Sequence, residues 1–153
     1  MDKKATVLVV DDENGIRESF KMILKDQYHI LLAETGEEAL AIFKDNPVDL
    51  ILLDILLPDV SGIDLLERLK GMDSNTEIIM VTGVKEIQTA VKAIKLGAYE
   101  YVIKPFNVED IVNVIERALE KHNLVREVTY LRNELERYTP FKGFIGQMGA
   151  KNE

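Results

Sequence analysis

The chain contains no cysteine. That removes any disulfide framework and any thiolate metal site, and it fits work in a reducing cytosol. No apolar stretch comes near the roughly 20 residues that cross a bilayer. The opening run MDKKATVLVVDDE lacks a signal-peptide layout, because its apolar part stops at Asp11 and Asp12. No membrane role is expected. Basic residues are outnumbered, 19 Lys and Arg against 27 Asp and Glu, for a net charge of −8. The deficit is uneven: residues 1–120 hold 23 acids and 13 bases, while residues 121–153 hold 4 acids and 6 bases. So acidic a body does not grip nucleic-acid phosphates by itself, and cations are its more natural guests. There is no phosphate-cradling G-x-x-x-x-G-K-[ST] loop, no repeat of fixed period and no low-complexity tract.

What is present suits one domain with an appendage. The 153 residues are 46% apolar and 30% charged, enough for a real core under a soluble surface. Short β-rich runs alternate with helical patterns as far as residue 120. Strands are expected at residues 6–10, 29–33, 50–53, 77–81 and 99–103. The first and third are almost unbroken Val, Leu and Ile, as in central strands of a parallel sheet buried on both faces. Thr35 with Glu38 forms a capping box for the second helix, and Ser61 with Asp64 makes a weaker start for the third. Asn107 with Asp110 opens the fifth. Gly71 and Gly97 sit where the third and fourth helices are expected to stop. Repeated β–α units with right-handed crossovers imply a doubly wound α/β fold.

The fifth helical pattern has neither Gly nor Pro between Pro105 and Pro140 and runs on to about Tyr138. Ile111, Ile115 and Ala118 form one stripe suited to packing on the sheet. Leu124, Val128, Leu131, Leu135 and Tyr138 form a second, at spacings of four, three, four and three. That is a heptad seam, expected to pair with a partner helix. The alternative is a solvated amphipathic helix folded back on its own domain. After Pro140, FKGFIGQMGAKNE reads as a linker or the beginning of something further. The expected organisation is a globular domain over 1–122, a helical linker over 123–139 that dimerises, and a flexible tail over 140–153. His29 and His122 have no convincing partner nearby in sequence and are expected at the surface.

Ligands of an open parallel sheet bind beyond the carboxyl ends of its strands, where the strand order reverses. Strand one ends in Asp11 and Asp12, strand three in Asp54, strand four in Thr82, and strand five in Lys104 followed by Pro105. Strand two ends blandly in Ala33 and Glu34. Each residue has an ordinary explanation: a helix cap for Asp11 and Asp12, a loop acid for Asp54, a turn hydroxyl for Thr82, a surface lysine for Lys104. Asp54, however, lies between Ile51–Leu53 and Ile55–Leu57, and a carboxylate in so apolar a setting needs a partner or a metal. Taken together, the acids, the hydroxyl and the lysine suit phosphoryl transfer to a carboxylate. Mg2+ would relieve the repulsion among the acids, and lysine and threonine would meet phosphoryl oxygens. Asp54 is then the nucleophile.

In these residues the chain resembles the receiver domain of two-component response regulators. VLVVDDE, LILLDILLPDVSG, IIMVTG and YVIKPF carry the resemblance, which covers roughly residues 5–122. It implies a flavodoxin-like (CheY-like) five-stranded sheet and phosphorylation of Asp54 by a sensor histidine kinase. It implies Mg2+ held by Asp12, Asp54 and the backbone carbonyl of Leu56, with Asp11 acting largely through water. Thr82 and Lys104 would bind the phosphoryl group and Tyr101 would be the switch aromatic. A cis bond is expected at Lys104–Pro105. Homodimerisation through helix four, strand five and helix five, together with the linker helix, is the expected output. The chain would then be a switch that assists its own phosphorylation and dephosphorylation, not an enzyme with a separate substrate. Leu56 and Val84 stand where polar side chains of relatives orient an attacking water, so slow loss of the phosphoryl group is expected.

The order receiver, long helix, FKGFIGQ is similar to the start of NtrC-type activators of sigma-54 transcription, in which an AAA+ domain follows. That makes a regulatory piece without DNA contact of its own. Two other readings compete. A dehalogenase-like Mg2+-dependent phosphatase would put its nucleophile after strand one as D-x-D, where this chain has DDE. A receiver-like fold kept only for dimerisation has no use for the intact acids and lysine.

Overall fold

A computed structural model describes residues 4–138, apart from the Tyr138 side chain; the expected tail over 140–153 lies outside the described residues. The chain divides into two units, the first ending at His122 and the second beginning at Asn123. In the first, β1 (Thr6–Val10), β2 (His29–Ala33), β3 (Leu50–Asp54), β4 (Glu77–Thr82) and β5 (Glu100–Ile103) alternate with α1 (Asn14–Leu24), α2 (Gly36–Asp45), α3 (Gly62–Met72) and α4 (Ile87–Lys95). A short 3-10 turn, Val84–Glu86, precedes α4, and α5 (Val108–Tyr138) closes the series. The sheet is parallel, with strand order β2-β1-β3-β4-β5. The expected strands therefore form, with Asp54 and Thr82 as the last residues of β3 and β4.

Strand pleating sorts the core into two layers, because successive side chains point to opposite faces. Leu8, Val10, Ile51, Leu53, Ile78 and Met80 pack with Leu65, Leu69 and Ala90 under α2, α3 and α4. Val7, Val9, Leu50, Leu52, Ile79 and Val81 pack with Phe20, Ile111 and Ile115 under α1 and α5. The stripe Ile111, Ile115 and Ala118 is fully buried. Leu124, Val128, Leu131 and Leu135 are each at least half exposed. Among the described residues, no helix is long and apolar enough to cross a membrane.

The helix starts follow local chemistry. Thr35 Oγ1 accepts the Glu38 amide at 3.1 Å, Ser61 Oγ accepts the Asp64 amide at 3.1 Å, and Asn107 Oδ1 accepts the Glu109 amide at 2.8 Å. The return half of the box at Thr35 is displaced by one residue, since Glu38 accepts the Glu34 amide rather than that of Thr35. Gly97 ends α4 as expected, in the left-handed region at φ 114°. The Ala98 amide reaches back to the Ala93 carbonyl and the Gly97 amide to that of Ile94, a Schellman ending. Gly71 does not end α3, which continues through Met72 with Asp73 as its C-cap. Without a positive φ, Gly71 is simply a helical residue.

His122 corrects the expectation from sequence. It is buried, with Nδ1 2.7 Å from the Asn75 carbonyl and Nε2 3.0 Å from Asp49 Oδ1. Its partners stand 47 and 73 residues away, so local sequence carries no sign of them. His29 is exposed as expected.

One glycine is fixed by close approach. A Cβ at Gly62 would lie 2.6 Å from both the Asp54 carbonyl oxygen and Ile55 Cα. Backbone atoms do not yield there, so Gly62→Ala is expected to cost about 2 kcal/mol in urea unfolding. A loss below experimental error would contradict the contact.

Candidate functional site

The register brings the strand exits level. Val10 stands opposite Leu53, Asp54 opposite Val81, and Thr82 opposite Ile103. Asp11 and Asp12 therefore emerge beside Asp54, at the point where the sheet grows in opposite directions from β1. Side-chain alternation then selects a face. Asp54 continues the series Leu50, Leu52, and Lys104 follows Val102 by two; all these apolar residues belong to the layer under α1 and α5. Thr82 continues Ile78 and Met80, and Tyr101 packs with them, on the other face.

Lys104 closes the group. Its Nζ donates to Asp11 Oδ2 at 3.0 Å and to Asp54 Oδ2 at 3.4 Å. Asp11 and Asp54 are buried, whereas Asp12 is exposed, and carboxylate oxygens of all three lie within 4.8 Å of one another. Asp11 Oδ1 also accepts the Glu13 amide at 2.9 Å, and Asp54 Oδ1 accepts the Leu56 amide at 3.2 Å. The Lys104–Pro105 peptide bond is cis.

One ammonium does not balance three clustered carboxylates. Burial raises the Asp54 carboxyl, the charge of Asp11 raises it further, and Lys104 with the Leu56 amide only partly offsets them, leaving it at about 6. At Lys104, burial by itself lowers the ammonium. The hydrogen bond to Asp11 and the charges of Asp54, Asp11 and Glu13 outweigh that, so its pKa is raised. The donor set is all oxygen, with uncompensated negative charge and one solvent-facing member. Those features fit a hard divalent cation that keeps part of its water shell.

Asp11, Asp12, Asp54 and Lys104 are thus brought together. Neither aspartate is the N-cap of α1, a position that falls to Glu13 without a side-chain bond. Thr82 is fully buried, and its hydroxyl donates to the Gly83 carbonyl at 3.1 Å. Tyr101 is partly buried against the α4 side of the core. Leu56 and Val84, with side chains exposed to solvent, flank the site in sequence. Two residues escaped sequence reasoning. Arg17 Nη1 donates to the Asp11 carbonyl at 2.7 Å, and Asp59 accepts the amides of Gly36 and Glu37, both at 2.9 Å. The first carries no motif, and the second acts across 22 and 23 residues of chain.

A doubly wound sheet with an acid cluster and a lysine at its switch point places the chain among small α/β domains with a charged site at that edge. The chain belongs to the response regulator receiver domain family, which it matches over residues 7–116. It is 33% identical over 130 residues to the regulatory protein AtoC of Escherichia coli (strain K12), covering 84% of this chain and 28% of that protein. It is 38% identical over 136 residues to the nitrogen assimilation regulatory protein NtrX of Azorhizobium caulinodans, covering 87% and 30%. A response regulator receiver domain protein from Clostridium thermocellum superposes with a TM-score of 0.76 at 33% identity, covering 79% of this chain and 98% of that one. NtrX from Brucella abortus gives 0.80 at 39% identity, covering 84% and 30%. The chain spans only 28% of the length of the first curated relatives it matches.

Proposed function

We propose that this chain is a phosphoacceptor switch in which Asp54 takes a phosphoryl group from a sensor histidine kinase. The observation that carries the reading is the convergence of Asp11, Asp12, Asp54 and Lys104 from three strand exits on one edge. An Asp54 oxygen bonds to phosphorus while the bond from phosphorus to the donor nitrogen breaks, and the imidazole leaves with the electron pair. Lys104 stands ready to donate to the transferred oxygens. The Thr82 hydroxyl must leave the Gly83 carbonyl to do the same, and Tyr101, on its face of the sheet, follows it inward. Asp11, Asp12, Asp54 and the Leu56 carbonyl would hold Mg2+. When bound, that ion spreads the negative charge of the transferred group.

The output assigned to this switch is dimerisation in the cytoplasm through α4, β5 and α5 and the seam Leu124, Val128, Leu131, Leu135 and Tyr138. Its place is at the front of a sigma-54-dependent activator, with DNA contacts left to other segments. Support comes from the exposed apolar positions on α5 and from the likeness to AtoC and NtrX.

Incubation with Mg2+ and acetyl phosphate tests the reading. Intact mass is expected to rise by one phosphoryl group in the native chain and not in Asp54→Ala. Sedimentation of the two samples then reports the oligomer. Equal uptake by both would reject Asp54 as acceptor. Once formed, the acyl phosphate is expected to persist well beyond seconds, since the side chains of Leu56 and Val84 cannot orient a water. A lifetime of seconds by time-resolved mass measurement would refute that.

A further inference from the structure

We propose that Asp59 is a positioning residue for the phosphoacceptor site, latching the β3–α3 loop to the first turn of α2 and so fixing Leu56 beside Asp54. The proposal rests on Asp54 as acceptor and on the Leu56 carbonyl as a cation ligand.

A helix start leaves its first amides without intrahelical partners. In α2 the Glu38 amide is taken by its own N-cap, Thr35. The Gly36 and Glu37 amides are taken by Asp59, one on each carboxylate oxygen, both at 2.9 Å. Those two bonds hold the Asp59 carboxyl below its ordinary value. A second contact reinforces the first: a Cβ at Gly36 would lie 2.2 Å from Val60 Cγ1, so Val60 sits flush on the helix start. The apex of the loop is thereby fixed to α2, whose Ala39 and Phe43 belong to the core.

The base of the same loop is closed separately. Leu56 and Ser61 form a bridge, and the Gly62 amide donates to the Ile55 carbonyl at 2.8 Å. Leu56 stands at this base, and its amide holds Asp54 Oδ1. Asp59 is exposed and has water as an alternative partner, so its own solvation does not require the two amides. What depends on them is the loop. Without the latch, residues 57–60 keep only the seat of Val60 on α2, and the aim of the two polar backbone groups of Leu56 loosens about the bridge to Ser61. This gives β2, whose exit supplies no side chain to the site, a part in it through the amides that follow.

The test uses two readouts. In metal-free protein, NMR hydrogen exchange is expected to show protected amides at Gly36, Glu37 and Leu56, and faster exchange at all three in Asp59→Ala. With acetyl phosphate, the Mg2+ concentration giving half-maximal uptake is expected to rise about tenfold. The rate at saturating Mg2+ should stay close to native, a split that simple unfolding does not produce. Asp59→Asn keeps one acceptor oxygen and should fall between. Asp64→Asn removes a nearby exposed carboxylate and should leave both readouts at native values, excluding a bulk charge effect. Unchanged Leu56 exchange with an unchanged Mg2+ midpoint would overturn the latch and reduce Asp59 to a cap of α2. If the native chain takes up no phosphoryl group at all, the assignment of Asp54 fails, and Leu56 exchange alone still decides the latch.

Discussion

Asp54→Asn is expected to be more stable than the native chain at pH 7.5 in the absence of metal, by about 3 kcal/mol. The Asp54 carboxyl stands near 6 in the folded chain against an ordinary 3.8. A raised acid makes the folded state bind more protons than the unfolded one. The penalty is therefore absent below 3.8, grows as pH rises between 3.8 and 6, and is complete above 6. Urea unfolding in chelator should show the advantage of the asparagine variant closing near pH 4. Titrations remote from the site are common to both chains and cancel in the difference. Mg2+ should stabilise the native chain more than the variant, by mass action on a site the variant has weakened. Equal stability of the two chains at every pH would show that burial and the charge of Asp11 do not raise the Asp54 carboxyl. The penalty is what a functional site looks like in energetic terms: buried like charges retained where an apolar core would be quieter.

Lys104→Met is expected to have the opposite sign. Its ammonium is the cation bonded to both Asp11 and Asp54, and removing one partner of a buried ionic group costs about 3 kcal/mol or more. With its pKa raised, the lysine's stabilisation is fully present below the ordinary 10.5 and is lost only as pH climbs through the higher folded value. At pH 7.5 the whole effect should be visible. It should shrink towards pH 4, where Asp54 takes up a proton and needs the cation less. Combining Lys104→Met with Asp54→Asn should recover much of the loss, because a single buried carboxylate then remains beside the methionine. Strict additivity of the two changes would argue that lysine and carboxylate do not interact.

The β–α alternation was legible because each central strand is a short run of Val, Leu and Ile ending in a polar residue. The exits were legible for the same reason: Asp54 and Lys104 break apolar runs at the register positions where a parallel sheet brings strand ends together. Which face each exit residue uses follows from counting by twos, which assigns Thr82 and Asp54 to opposite faces of the sheet. Nonlocal polar contacts were not legible. His122 finds Asp49 and Asn75 in the segments that lead into β3 and β4, and Asp59 finds the start of α2. Neither pairing leaves a spacing in the chain. Gly71 shows the limit of punctuation by glycine, since α3 passes through it with ordinary helical backbone. The heptad spacing from Leu124 was visible, but a stripe of exposed side chains on one chain does not name its partner.

Chemical trapping of the modified residue gives the most direct test of the site. After treatment with Mg2+ and acetyl phosphate, borohydride reduces an aspartyl phosphate to homoserine, and peptide mapping locates it. Homoserine at position 54 alone is the predicted result. Its appearance at position 11 or 12, phosphate retained on His29 or His122, or no modification anywhere would contradict the claim that these strand exits build a phosphoacceptor around Asp54.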